Sequence, residues 1–144
     1  FLCKSLSSQL ISERSDWTPN IFSPGLSNRK HLFRSNLLMG ISAAFTKQSH
    51  RGTRGCNLAA YKNDLYSVNG FNEEFTSWGR EDSEFTARLL HSGIKRKNLK
   101  FGGIAFHLWH DTSKAKTSTE NEKILELTLN KKLIRCNHGL INIE

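Results

Sequence analysis

Gly79-Arg80-Glu81-Asp82-Ser83-Glu84-Phe85-Thr86-Ala87-Arg88-Leu89-Leu90-His91-Ser92-Gly93 organises the elements around it. Three acids open the run and a glycine closes it. Carboxylates favour the first turn of a helix, where free amides and the helix dipole stabilise negative charge by about 0.3–1 kcal/mol. Glycine takes the left-handed conformation that ends one. Phe85, Leu89 and Leu90 fall on one apolar face, while Glu84, Arg88 and His91 are expected to face elsewhere. A helix starting near Glu81 and ending at Gly93 follows.

Upstream, Phe71 to Gly79 reads as a turn-rich crossing with Phe71, Phe75 and Trp78. Lys62 to Val68 is helical and stopped by Asn69-Gly70. Cys56 to Tyr61 reads as a short buried strand, and the polar, basic stretch 46–55 as a flexible loop. Ser27 can cap a helix reaching Leu38. Residues 1–25, punctuated by Pro19, Pro24 and Gly25, read as loop and short helical pieces. Downstream, Ile94 to Leu99 and Ile104 to Trp109 read as strands parted by Gly102-Gly103. Thr119 can cap a final helix over Glu120 to Leu133. Alternating strands and helices give an α/β class.

The chain has 144 residues, 37% hydrophobic and 24% charged, as in an ordinary globular domain. No apolar run approaches the ~18 residues of a membrane-spanning helix. It begins with Phe1 and carries no secretory leader, so it reads as a soluble piece of a longer chain. Cys3, Cys56 and Cys136 are scattered and odd in number, which argues for reduced thiols in a cytoplasmic protein. The net charge is +8, yet between residues 62 and 92 six acids (Asp64, Glu73, Glu74, Glu81, Asp82, Glu84) stand against Lys62, Arg80 and Arg88. Such a basic exterior suits an anionic partner, including nucleotide phosphates or a peripheral membrane contact. The acidic island calls for a more specific role, because packed like charges repel.

Acids at a helix start need no function to be there. Trp78 and Gly79 point further. An indole offers a flat face for the C–H patches of a sugar ring, and Gly79 lets a ligand approach the backbone. A carboxylate within about 2.6–3.2 Å of a sugar hydroxyl can serve as general base, contributing about 10²–10⁴-fold.

Four motifs occur in order: Arg54-Gly55-Cys56-Asn57-Leu58-Ala59, Val68-Asn69-Gly70-Phe71-Asn72-Glu73-Glu74-Phe75, Trp78-Gly79-Arg80-Glu81-Asp82-Ser83-Glu84-Phe85 and Arg88-Leu89. Together they resemble the C-terminal galactosyltransferase-type module of bacterial family 2 glycosyltransferases and of animal beta-galactosyltransferases. The resemblance covers residues 51–112. It leaves 1–50 as a weakly matched connecting segment and 113–144 as a C-terminal helix and tail. It implies the C-terminal portion of a GT-A fold, a Rossmann-like α/β sandwich. It also implies a nucleotide-sugar donor, a UDP-sugar among them, and a divalent metal, Mn²⁺ or Mg²⁺. A saccharide or glycolipid acceptor attacks with inversion. By that resemblance Asp82 is the catalytic base, Glu81 contacts acceptor or donor sugar, and Trp78 and Gly79 line the sugar site. Arg54 and Asn57 stand where donor sugar or phosphate is touched, although an arginine in a basic loop is also commonly just solvated. The implied setting is bacterial surface polysaccharide or lipooligosaccharide synthesis, in the cytoplasm or peripheral to the inner membrane.

Phe106-His107-Leu108-Trp109-His110-Asp111 is the second informative stretch. On a regular strand His107 and Trp109 share one face and His110 takes the other, so both imidazoles are not expected on one ion. A histidine at a strand end can equally be a satisfied polar residue. The resemblance implies a metal-binding histidine here, matching His107 first and His110 second. It would supplement an Asp-x-Asp motif, and this chain contains none. The diphosphate-holding half is therefore expected upstream, and the segment alone is expected to be inactive.

Three other readings compete. A non-catalytic carbohydrate-binding or degenerate transferase domain would bind sugar without transferring it. A basic nucleic-acid-binding module fits the isoelectric point of about 9.7 and Lys95-Arg96-Lys97, but its basic residues are dispersed and the acidic island would repel phosphate, so no nucleic acid is expected as a partner. A glycosidase needs two carboxylates ~5–9.5 Å apart across one bond, which the adjacent Glu81 and Asp82 do not provide.

Overall fold

The computed structural model describes residues 2–13, 22–46, 48–111 and 118–141. They form α1 (Lys4–Glu13), α2 (Asn36–Ala44), α3 (Lys62–Ser67), α4 (Glu81–His91) and α5 (Thr119–Lys131), with 3-10 turns at Arg29–Leu32 and Gly55–Asn57. Pro19 and Lys47, read above as loop, lie outside the described residues.

Among the described residues, β pairing is confined to one antiparallel bridge, Leu2 to Leu26. The expected strands at 56–61, 94–99 and 104–109 are therefore corrected. Cys56 and Asn57 belong to a 3-10 turn, Tyr61 is 83% exposed, and no ladder joins the later segments. A strand is defined by the neighbour that satisfies its N–H and C=O groups, and apolar alternation alone does not supply one.

The chain divides into two compact units: Phe1–Thr46 with Lys97–Ser113, and Lys47–Arg96 with Lys114–Glu144. Each unit is discontinuous in sequence.

In the first unit Leu2 and Leu26 are buried against Cys3, Leu32 and Phe106. The helix expected from Ser27 to Leu38 is broken in two. Asn28 is left-handed (φ 57°) and Phe33 extended, so the chain leaves helical geometry between Arg29–Leu32 and α2. Ser35 is the true cap of α2, its hydroxyl accepting from the Leu38 N–H at 3.3 Å. Residues 98–101 bond to both ends of α2: the Asn98 N–H donates to Thr46 Oγ1 at 3.1 Å, and the Ser35 N–H to the Phe101 carbonyl at 3.1 Å.

The second unit has a mixed core. Val68, Phe85 and Leu89 pack with Leu58, Leu65 and Ile94, and Phe71 stacks on Phe85 at 4.4 Å between ring centroids. Glu84 and Arg88, expected away from the core, are only 1% and 0% exposed. The reason is that they satisfy each other and the backbone around them. Arg88 donates to both Glu84 oxygens at 2.8 and 2.9 Å, to the Gly70 carbonyl at 2.8 Å, and to the Val68 carbonyl. Thr128 of α5 donates to Glu84 at 3.0 Å. A buried charge pair tolerates desolvation only when its remaining donors and acceptors are filled in this way.

Asn69 performs the same service for the C-terminal segment. It sits left-handed at φ 66°, a conformation asparagine tolerates. Its amide donates to the Cys136 and Ile141 carbonyls at 3.0 and 2.7 Å and accepts from the Ile141 N–H at 2.9 Å. Arg135 donates to the Tyr66 and Ser67 carbonyls, 2.8 Å each, which satisfies the C-terminal end of α3. The expected last helix is α5, but Ser118 rather than Thr119 caps it, accepting from the Asn121 N–H at 3.1 Å.

Candidate functional site: an acid turn in the second unit

Chain reversal before α4 is achieved by two consecutive left-handed residues, Gly79 (φ 103°) and Arg80 (φ 78°). For arginine that geometry costs roughly 1–2 kcal/mol and must be held by its surroundings. Asn121, 1% exposed, donates to the Ser77 carbonyl at 3.0 Å and the Gly79 carbonyl at 2.7 Å. Glu122 pairs with the Arg80 guanidinium at 2.8 Å. With both groups more than a third exposed, that ion pair orients more than it stabilises.

The turn presents Trp78, 59% exposed, and then the half-buried Glu81 and Asp82. One Asp82 carboxylate oxygen accepts from the Gly55 N–H at 3.1 Å and the other from the Ser83 hydroxyl at 3.3 Å. Gly55 opens the 3-10 turn flanked by Arg54, and the Asn57 N–H closes it on the Arg54 carbonyl at 3.0 Å. Arg54 and Asn57, singled out in the sequence, thus lie on the exposed loop that bonds Asp82. Glu81 has one oxygen, Oε2, that is shielded from solvent and without a hydrogen-bond partner. Such an atom costs about 1–3 kcal/mol unless a ligand fills it.

Two clefts lie in the second unit. One, of about 320 Å³, is apolar and lined by Gly55, Leu58, Ala59, Leu65, Phe71 and Phe85. The other, of about 410 Å³, is polar and lined by His50, Arg51, Arg80, Ser83, Glu122 and Glu126. Both fall in the ~300–1,000 Å³ range of small-molecule clefts. In the polar cleft, burial and then the positive charges of Arg51, His91 and Arg80 push the His50 pKa below the usual histidine value.

His107 and His110 belong to the first unit. Their Nε2 atoms lie 3.0 Å apart, with ring centroids at 5.0 Å and planes tilted by 51°. This corrects the expectation that they point to opposite faces. Residues 103–110 are not a pleated strand, so the period of two does not apply. The Leu2 N–H on the His107 carbonyl (3.0 Å) and the Trp109 N–H on the Ser7 hydroxyl (2.8 Å) fix the backbone between the two rings. Either one imidazole donates to the other, or both nitrogens face one cation. Adjacent positions of an octahedral ion at ~2.1 Å are separated by about 3.0 Å, so the pair fits two ligands of such an ion. Among the described residues no group of three or more His, Cys, Asp or Glu side chains could hold a metal.

Asn121, Glu122 and Ser83 were not singled out in the sequence. Only the first carried any signal, a polar residue in the apolar-patterned α5, and α5 lies far along the chain from the turn it serves.

A family model described as the N-terminal domain of galactosyltransferase matches residues 35–111. The description speaks of an N-terminal domain, where the resemblance drawn from the motifs speaks of a C-terminal module. Chondroitin synthase of Escherichia coli is 42% identical over 53 residues, covering 37% of this chain and 8% of that protein. Chondroitin sulfate N-acetylgalactosaminyltransferase 1 of Homo sapiens is 33% identical and N-acetylgalactosaminyltransferase 2 of Mus musculus 37% identical, each over 51 residues, 35% of this chain and 9% of the relative. The aligned segment thus spans less than a tenth of these curated relatives. No solved structure matches the chain.

Proposed function

This chain belongs to the galactosyltransferase family whose model matches residues 35–111, and on that premise we propose that it is the acceptor-side part of an inverting enzyme that transfers a hexose-type sugar from a UDP-sugar. The acceptor is a saccharide or glycolipid hydroxyl, and the setting is bacterial surface polysaccharide synthesis. The names of the chondroitin relatives favour an N-acetylgalactosamine donor. The observation that carries the reading is the acid turn. Asp82 accepts from the N–H of Gly55, a residue that lines the apolar cleft, and Glu81 carries an unpartnered oxygen.

Asp82 accepts the proton of the acceptor hydroxyl as that oxygen bonds to the anomeric carbon. Glu81 Oε2 takes a hydrogen bond from a sugar hydroxyl, and Trp78 packs on the ring. His107 and His110 would hold a divalent ion, Mn²⁺ or Mg²⁺, and that ion would supply charge neutralisation for a leaving diphosphate. The sequence has no Asp-x-Asp, and we place those carboxylates in a segment beyond these 144 residues. We assign the whole enzyme a GT-A α/β sandwich. The absence of Asp-x-Asp makes this segment inactive alone.

The test is UDP release from UDP-N-acetylgalactosamine by the full-length protein with a saccharide acceptor, with Mn²⁺ and after chelation. Release that needs both metal and acceptor supports the reading. Sugar binding without release under every metal and donor condition would overturn it in favour of a non-catalytic carbohydrate-binding domain.

A further inference from the structure

We propose that Asn121 is the positioning residue of the acid turn, and that α5, outside the segment the family model matches, sets the geometry of Asp82. This rests on the transferase reading of Asp82 above.

The amide of Asn121 is 1% exposed and directs both of its N–H groups at one turn, to the Ser77 carbonyl at 3.0 Å and the Gly79 carbonyl at 2.7 Å. Those carbonyls stand on either side of Trp78. The first belongs to the peptide that enters Trp78, the second to the peptide between the left-handed Gly79 and Arg80. One side chain therefore fixes both the plane that aims the indole and the plane from which α4 starts. The next residue, Glu122, holds Arg80 at 2.8 Å. Asn121 is itself anchored, its N–H on the Ser118 hydroxyl at 3.1 Å. No other amino acid of this size offers two donors from one atom. Aspartate would set acceptors against two carbonyls, and alanine would leave both carbonyls unfilled and the left-handed pair free to relax. A shift of about 1 Å in a reacting group can cost about 10²-fold in rate.

The same helix carries its own control. Thr128 is 2% exposed and donates to Glu84 at 3.0 Å inside the core, without touching the turn. The experiment compares Asn121→Ala, Asn121→Asp and Thr128→Val in the full-length protein, each with steady-state transfer kinetics and a melting temperature. The expected result is a kcat lowered about 10–100-fold in both Asn121 variants, with donor KM within about threefold. Thr128→Val should lose comparable melting temperature yet keep kcat within about threefold. Kinetics that track melting temperature alike at both positions would overturn the proposal, as would an Asn121→Asp enzyme with wild-type kcat. A readout independent of turnover separates this proposal from the transferase reading. In 5-fluorotryptophan NMR, with the Trp78 line assigned through Trp78→Phe, Asn121→Ala should shift and broaden that line and Thr128→Val should not. A shifted line in a protein that transfers no sugar keeps the clamp and removes the reaction. An unshifted line in an active enzyme removes the clamp.

Discussion

Asp82 and Glu84 stand two residues apart on α4 in a continuous run of polar residues, and the fold puts them to opposite uses. Glu84 is 1% exposed, bonded twice to Arg88 and once to Thr128, with no room for a ligand. Asp82 is half-buried at a loop edge, bonded to one hydroxyl and to the N–H of Gly55, which lines the apolar cleft. A helix turns by about 100° per residue, so two positions separate the face that packs from the face that presents. What looks like a single acidic cluster is one acid filled by the core and one at a loop edge, to which the proposed function gives the base role, and the partners of each carboxylate tell them apart.

The strongest way to break this contrast is through Arg88. Removing one partner of a buried pair strands the other, so Arg88→Met should lower the unfolding free energy by about 3–5 kcal/mol, read by urea unfolding. The double variant Glu84→Leu/Arg88→Met should recover part of that loss, because no buried charge is left alone. A single variant that costs under about 1 kcal/mol would mean that Glu84 is no more structural than Asp82.

A smaller effect sharpens the same point through pH. Burial pushes the Cys136 thiol above its ordinary pKa; the positive charge of Arg88 opposes it and the negative charge of Glu84 adds to it. Its thiol faces the Asn69 carbonyl at 3.5 Å. A raised folded pKa means that the unfolded chain loses its proton first. This stability is therefore complete below the ordinary thiol range and lost as pH rises through the folded value. Urea midpoints should fall at alkaline pH in the wild type and fall less in Cys136→Ser. Parallel midpoints in the two proteins would show that the thiol titrates as it does in water.

Several elements were legible in the sequence because their ends are written in residue chemistry. Asn69-Gly70 and Gly93 stop α3 and α4, and acids start α4. The interior of unit two was not legible, because a hydrophobic period sends every polar residue outward. Glu84 and Arg88 at i, i+4 with glutamate first carried the one available hint. The segments 56–61, 94–99 and 104–109 have strand-like composition, but pairing depends on neighbours that local pattern does not specify. For the candidate site, the turn Trp78-Gly79-Arg80-Glu81-Asp82 was singled out from the motif. Asn121 was hidden, because its contacts span 42 and 44 residues of sequence. His107 and His110 were assigned to separate faces by a pleat that the backbone does not form.

The account turns on Asp82 being chemically engaged while structurally dispensable. The direct measurement is Asp82→Asn in the full-length protein, with UDP-sugar transfer and urea unfolding on the same preparation. The account predicts transfer reduced by at least about 10²-fold, with unfolding free energy within about 1 kcal/mol of wild type, since the amide still accepts from Gly55. Wild-type transfer rates in Asp82→Asn, or a collapse of the fold with it, would contradict the division of labour between residues 82 and 84.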